Sequence, residues 1–136
     1  MKEAINIQAM GKVSIFKHTP QNELVKIFEG KNAIQIDASE IIARNLLLQP
    51  LAKIDNIEVY DLTVLKATGV ISLYSTVANH EAKFSAVFNG PSFSGDFNRF
   101  KLRASGINLT FAEIAGMAET KTNVETITIE WTIAIL

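Results

Sequence analysis

The feature that most constrains the fold is a sustained alternation near the end of the chain, over residues 126–135. Its odd positions carry large apolar side chains and its even positions carry polar or small ones, the apolar set being Ile127, Ile129, Trp131, Ile133 and Ile135. A period of two over ten residues predicts a β-strand with one face in a core and the other outside it. We therefore predict that this strand is central to the fold and that Trp131 is a buried anchor of the core.

Much of the remaining chain repeats this alternation in shorter segments separated by turns that contain Gly, Pro or Asn. Candidate strands occupy residues 13–15, 24–28, 57–60, 62–67, 70–77, 83–88 and 107–111. Roughly eight to ten short strands at this spacing are typical of β-sandwiches and barrels. The pattern predicts a mainly β fold, an antiparallel sandwich or a jelly-roll-like barrel, in a single domain over residues 1–136.

Two segments carry a helical pattern. From about residue 37 to 49, Asp37 as N-cap with Glu40 three residues later is typical of a capping box, and Pro50 ends the helix. We predict that this helix packs an aliphatic stripe against the sheet, through Ile41, Ile42 and Leu46. A second, single helical turn is predicted at 112–117.

Composition excludes several classes of protein. The chain has no cysteine, which rules out disulfides and thiolate metal sites. Its 13 basic and 14 acidic residues give a formal charge of −1, without the basic excess that is typical of nucleic-acid binders. No uncharged apolar run approaches the roughly 18 residues that a membrane helix needs, and the first residues do not resemble a signal peptide. We therefore expect neither a nucleic-acid nor a membrane partner.

Side chains able to perform catalysis or bind metal are few and scattered. His18 and His80 are the only histidines, and neither has a carboxylate or a second histidine at ligand spacing. Asp55, Glu58 and Asp61 cluster near a strand, where a solvated strand edge is favoured over paired acid and base roles. We predict no catalytic, cofactor-binding or metal-ligating residue. A small β-barrel enzyme would need a pocket that joins a histidine to a carboxylate.

Two further patterns bear on ligands. The segment 89–95 holds two glycines, but it is flanked by strands and predicts a turn, since a phosphate loop needs a helix N-terminus. Tyr60 and Tyr74 are the candidates for a flat aromatic surface that stacks on carbohydrate. Two or more exposed aromatic side chains beside Asn and Asp on one face would favour such a binding module.

A stretch without charge suggests a covered surface. Residues 67–80 are fourteen consecutive positions without Asp, Glu, Lys or Arg, and only 20% of the whole chain is charged. A strand of this kind is suited to the centre of a sheet or to coverage by another subunit, because exposed edges normally carry Lys or Pro. We predict a subunit interface in a homo-oligomer, formed by Val70, Ser72, Tyr74 and Thr76.

The order of segments resembles a group of small virion proteins of tailed bacteriophages. The shared pattern is an Asn-x-Ile entry to a short helix, an Ile-x-x-Ile step, Phe-rich strands and a closing Thr-rich strand with a central Trp. Its counterparts are residues 32–34, 42–46, 54–57, 84–88 and 93–97, and the last strand through Trp131. The chain departs from the pattern at 99–102, Arg-Phe-Lys-Leu, where the group has an acidic residue before Leu.

This resemblance implies a non-enzymatic structural role. Proteins of the group are capsid-attached, neck or tail components that work by assembling, and no cofactor comes with them. The expected partners are further copies of this chain and other virion proteins, and the expected location is the virion, assembled in the host cytoplasm. A carbohydrate- or ligand-binding β-sandwich module is the alternative function.

Overall fold

Nine antiparallel strands and one α-helix make up most of the chain. The computed structural model describes residues 9–78 and 80–135, without the side chains of residues 77 and 78. The strands are β1 (Ala9–His18), β2 (Leu24–Ile34), β3 (Asn56–Asp61), β4 (Val64–Val70), β5 (Leu73–Ala78), β6 (Glu81–Phe88), β7 (Gly95–Ala104), β8 (Leu109–Lys121) and β9 (Ile127–Ile135). The helix α1 spans Ala38–Leu46, and 3-10 turns occupy Pro50–Ala52, Gly90–Ser92 and Ser105–Ile107.

The strands form one sheet in the order β4-β3-β7-β8-β2-β1-β9-β6-β5, curled into a half-barrel. β2 joins the two halves, because it pairs with β1 along most of its length but with β8 only at Ala33 and Ile34. The curl brings β4 towards β6, where a Cβ on Gly69 would lie 2.5 Å from the ring of Phe88. This confirms a mainly antiparallel β fold with one short helix.

The interior of the curl is built from alternate residues of neighbouring strands. Val13, Trp131, Phe84 and Tyr74 are opposite one another on β1, β9, β6 and β5, and they form one row across the sheet. Trp131 is fully buried, and its Nε1 donates a hydrogen bond of 3.2 Å to Asn32 Oδ1. The predicted role of Trp131 as a core anchor is confirmed.

The helix is shorter and less buried than the sequence predicts. Ala38 and Ile41 are buried and Ile42 is partly buried, as expected for a face that packs on the core. Leu46 is 79% exposed, so its predicted packing against the sheet is wrong. Asp37 occupies the N-cap position, but its side chain makes no capping hydrogen bond. A helix of nine residues at the rim of the sheet buries little more than one turn.

Three other predicted segments differ in the structure. Residues 112–117 are part of β8 and not a helical turn, because this segment pairs with β7 on one side and with β2 at its start. The strand predicted at 62–67 begins later, since Leu62 has a φ of 55° in the turn between β3 and β4. The strand predicted at 70–77 is divided between β4 and β5.

Candidate functional site

The charge-free stretch forms an edge of the sheet. β5 is the last strand in the sheet order and, among the described strands, pairs only with β6. Every second residue of an edge strand directs its backbone N–H and C=O groups away from the sheet. Of the two arrangements that the sequence allowed, a central strand is therefore excluded for β5 within the described chain.

The four residues predicted to form one interface face lie in two places. Val70 ends β4 opposite Asn56 and is 72% exposed, whereas Tyr74 and Thr76 lie on β5. Between them Ile71 inserts into the core and is 5% exposed. The chain passes from pairing beside β3 to pairing with β6 at Ile71 and Ser72, so Val70 and Tyr74 lie on different strands and not on one continuous strand face. These residues are exposed, and their role in a subunit interface stays a prediction.

Tyr74 is held in a fixed orientation by its own chain. Its hydroxyl donates a hydrogen bond of 2.7 Å to the backbone oxygen of Ile54, and its ring packs edge-on against Phe84 at 5.6 Å. Lys53 Nζ lies 4.5 Å from the centre of the same ring. Burial raises the pKa of the Tyr74 hydroxyl. The side chain still exposes 41% of its surface, so it presents a rigid aromatic face beside the edge.

Further exposed apolar side chains lie before and after the helix. Five large aliphatic side chains between residues 36 and 51 are each at least 66% exposed, and we call them the aliphatic cluster: Ile36, Leu46, Leu47, Leu48 and Leu51. Sequence analysis missed these exposed side chains and assigned one of them, Leu46, to the helix face that packs on the sheet. Monomeric proteins rarely leave large apolar patches uncovered.

The two histidines occupy different settings. His18 uses both ring nitrogens, with Nδ1 at 2.9 Å from Asn22 Oδ1 and Nε2 at 2.7 Å from Thr128 Oγ1, which fixes the β1–β2 turn against β9. His80 Nε2 is 3.9 Å from Glu81 Oε1, beyond hydrogen-bond distance. An enzyme was expected to need a pocket that joins a histidine to a carboxylate. His80 lies near the carboxylate of Glu81, but no hydrogen bond joins the two side chains.

His80 and Glu81 line a cavity at the open end of the half-barrel. The cavity has a volume of about 550 Å³ and a mainly apolar wall, with Ile54, Thr76, Ala82, Phe84, Phe111, Ile133 and Ile135 as its other lining residues. Its size falls within the range of about 300–1,000 Å³ that small-molecule pockets occupy. Its polar groups are few, so it is suited to apolar molecules more than to sugars.

The three clustered carboxylates have separate structural partners. Asp55 accepts hydrogen bonds from Ser105 N and Oγ at 2.9 and 2.6 Å, and Asp61 accepts one from the Asn98 side chain at 3.0 Å. Glu58 accepts a bond of 2.8 Å from the Tyr60 hydroxyl. The bonds of Asp55 and Asp61 tie β3 to β7 and its following turn, and that of Glu58 lies within β3, so the three carboxylates have structural roles and form no acid–base pair.

The two candidate stacking tyrosines do not form a common platform. Tyr60 lies on β3, near the side chains of Arg99 and Lys101, while Tyr74 lies on β5 beside Phe84. Burial and the hydrogen bond to Glu58 raise the pKa of Tyr60 to about 12. An exposed aromatic pair with neighbouring Asn and Asp, the arrangement that would favour carbohydrate binding, is not formed by these two residues.

Lys121 is a buried lysine that sequence analysis did not single out. Lys121 ends β8 and is fully buried, and its Nζ donates hydrogen bonds of 2.9, 2.8 and 3.0 Å to the backbone oxygens of Gly90, Phe93 and Thr122. Burial lowers the pKa of this amine. These hydrogen bonds hold the 3-10 turn between β6 and β7 in place, so segment 89–95 is a turn that Lys121 stabilises.

Other kinds of site were sought in the same residues. Across residues 9–78 and 80–135, no group of three or more His, Asp and Glu side chains is placed to hold a metal ion. In that part of the chain, α1 and the shorter turns lack the length and apolar character of a bilayer-spanning helix. Comparison with protein-family models, curated proteins and solved structures finds no match to this chain.

Proposed function

We propose that this chain is a non-enzymatic, self-assembling structural protein of a bacteriophage particle, capsid-attached or part of a neck or tail. The observation that carries the proposal is the uncharged edge strand β5, over Leu73–Ala78. An uncharged edge with free backbone groups pairs readily with another strand, and natural proteins that stay monomeric guard such edges with Lys or Pro, which β5 lacks, or with a bulge, which in β5 falls only after Thr76. In an assembly, a further subunit covers this edge.

The aliphatic cluster supports the same proposal from a different surface. Its members lie at the two ends of α1, away in sequence from β5, and four of the five are leucines. A subunit of a virion contacts several neighbours at once, and two separate apolar surfaces suit that role. Its partners are then further copies of the chain and other virion proteins, with the virion as location and without a cofactor, a nucleic acid or a membrane.

Two measurements test this function. Light scattering of the purified chain over a range of concentrations is expected to show a mass above 15.0 kDa that rises with concentration. Mass spectrometry of particles purified on a density gradient is expected to find the chain in multiple copies per particle. A chain that remains monomeric at high micromolar concentration and is absent from particles would contradict the proposal.

A ligand-binding module is the alternative, and the cavity at the open end of the half-barrel favours it. Phe84, Phe111 and Ile133 supply its apolar wall, and His80 stands at its rim. A panel of small aromatic, aliphatic and carbohydrate ligands can be screened by thermal denaturation. Stabilisation by one apolar ligand that is lost in Ala82→Trp, which fills the cavity, would favour this alternative over assembly. The matched control is Ser94→Trp, at an exposed position before β7.

A further inference from the structure

We propose that two copies of this chain pair through β5, antiparallel and about a two-fold axis, so that the two sheets become one continuous sheet. The inference rests on the proposed function, since it names the partner and the geometry of self-assembly. It commits to a second copy of this chain as the occupant of the edge. The argument uses the sequence of the strand, its contrast with the opposite edge, and the symmetry of an antiparallel pair.

The sequence of β5 is suited to pairing with itself. Leu73–Ala78 reads Leu-Tyr-Ser-Thr-Val-Ala, without a charge, a proline or a glycine. Short segments with high β propensity, no charge and no proline are those that stack edge to edge with their own copies. Because neither strand carries a charge, no like-charge repulsion arises when identical strands lie side by side.

The opposite edge of the sheet is protected, which explains why β5 and not β4 is the pairing strand. β4 carries Lys66 and Gly69, and its pairing with β3 is interrupted by a register shift. Charges, glycines and bulges each weaken an edge as a template for pairing. β5 also has a register shift, but it falls after Thr76, so Leu73–Thr76 remain regular.

Symmetry requires one residue to lie opposite its own copy at the axis, and we place Ser75, near the middle of Leu73–Ala78, at that position. A two-fold axis between antiparallel strands of one sheet is perpendicular to the sheet, so residues on the same face lie opposite each other. The inner face then places Tyr74 of each copy opposite Thr76 of the other, an aromatic–β-branched pair. On the outer face Ser75 lies opposite its own copy at the axis. Contacts with Ile54 and Phe84 already fix the Tyr74 side chain, so pairing of the two strands does not have to order it.

Cysteine cross-linking tests this register, since the natural chain contains no cysteine. Ser75→Cys places two thiols at opposed positions, where Cα atoms are about 4.5–5.5 Å apart, inside the range of about 4.4–6.8 Å for disulfides. The matched control is Leu73→Cys, exposed on the same face but about 13 Å from its own copy along the strand. Mild oxidation is expected to dimerise the Ser75→Cys variant about tenfold faster than the control, because only it meets disulfide geometry. Equal rates would overturn the proposed register.

Charge reversal tests the pairing without a covalent bond. Ser75→Glu and Ser75→Lys should each weaken self-association by about tenfold or more, because like charges then lie directly opposite each other. An equimolar mixture of the two variants should restore dimers. Lys83 lies opposite Ser75 on β6 within one chain, so the restored dimer, and not the stability of the lysine variant, is the decisive readout. Ser94→Glu is the control for added charge elsewhere.

The outcomes separate this inference from the proposed function. If the natural chain self-associates while both Ser75 charge variants associate equally well, β5 pairing is wrong and self-assembly through another surface stands. If the natural chain stays monomeric at high concentration and is missing from particles, the structural role itself fails. Restored dimers in the mixture, with fast cross-linking of Ser75→Cys, support both.

Discussion

The last strand and the helical segment carry equally strong apolar patterns, yet one is buried and the other largely exposed. In β9, Ile127, Ile129 and Trp131 are fully buried. In residues 36–51, Ile41 is fully buried while Leu47 and Leu48 are 72% and 88% exposed. A strand inside a curled sheet directs its apolar face to the inner side of the curl, where side chains from the other strands cover it. A short helix at the rim is covered only where it touches the sheet.

The largest expected effect is at Trp131. Trp131→Ala should lower the free energy of unfolding by about 3–5 kcal/mol, as for other truncations of large buried side chains. It also removes the hydrogen bond to Asn32, which lies where β2 leaves β1 for β8. Chemical denaturation measures the loss. Native tryptophan emission is expected to be blue-shifted, and emission like that of tryptophan in water would contradict its burial.

The next effect sharpens the comparison inside the helix itself. Ile41→Ala should cost about 2–5 kcal/mol, because Ile41 is fully buried in the core. Leu46→Ala, five residues later and 79% exposed, should change stability by less than about 0.5 kcal/mol. Urea denaturation of both variants below the concentration at which subunits associate gives the two values. Equal losses would mean that the apolar pattern, and not the position at the rim, decides burial.

A smaller effect is expected at the start of the helix. The capping pattern predicts a loss of about 1 kcal/mol for Asp37→Ala. Since the Asp37 side chain makes no capping hydrogen bond, we expect a loss below about 0.5 kcal/mol. Thermal denaturation of the variant at neutral pH measures the difference. A loss of the full capping value would show that the carboxylate bonds the helix N-terminus in solution.

The smallest effect is a pH dependence on the exposed face of the β1–β2 pair. Hydrogen bonds from Lys12 and Lys26 lower the pKa of Glu29 from 4.5 to about 2. A carboxyl with a lowered folded-state pKa stabilises the fold above its unfolded pKa, and this contribution is lost as pH falls from about 4.5 to about 2. Glu29→Gln should therefore flatten the melting temperature over that range, compared with the natural chain. Parallel profiles would show that the ion pairs add nothing to stability.

How far the sequence predicts the structure depends on the kind of pattern. Strict alternation predicted the burial of Trp131 and the strand at 83–88, because period two leaves only one face for a core. The helix was predicted within a few residues at each end. Residues 112–117 were wrong because small side chains there carry a weak period, and the ladder between β7 and β2 decided their conformation.

The sequence shows that the candidate site lacks charge, but it does not show where the site lies in the sheet. The absence of charge over residues 67–80 is visible in the sequence and drew attention to the segment that contains β5. Whether that strand lies at the centre or the edge depends on which strands pair, which a local pattern does not contain. The break at Ile71, which separates Val70 from Tyr74, arises because the chain changes its pairing partner from β3 to β6 between β4 and β5.

The sequence by itself determined the fold class, the core face of the last strand, the presence of one helix and the lack of charge on β5. These properties depend on periods and composition that act within a few residues. Only the tertiary structure decided that β5 is an edge, that Lys121 is buried among three backbone oxygens and that the aliphatic cluster is exposed. Each of these depends on contacts between segments far apart in the chain, and burial is a property of what covers a side chain, not of the side chain itself.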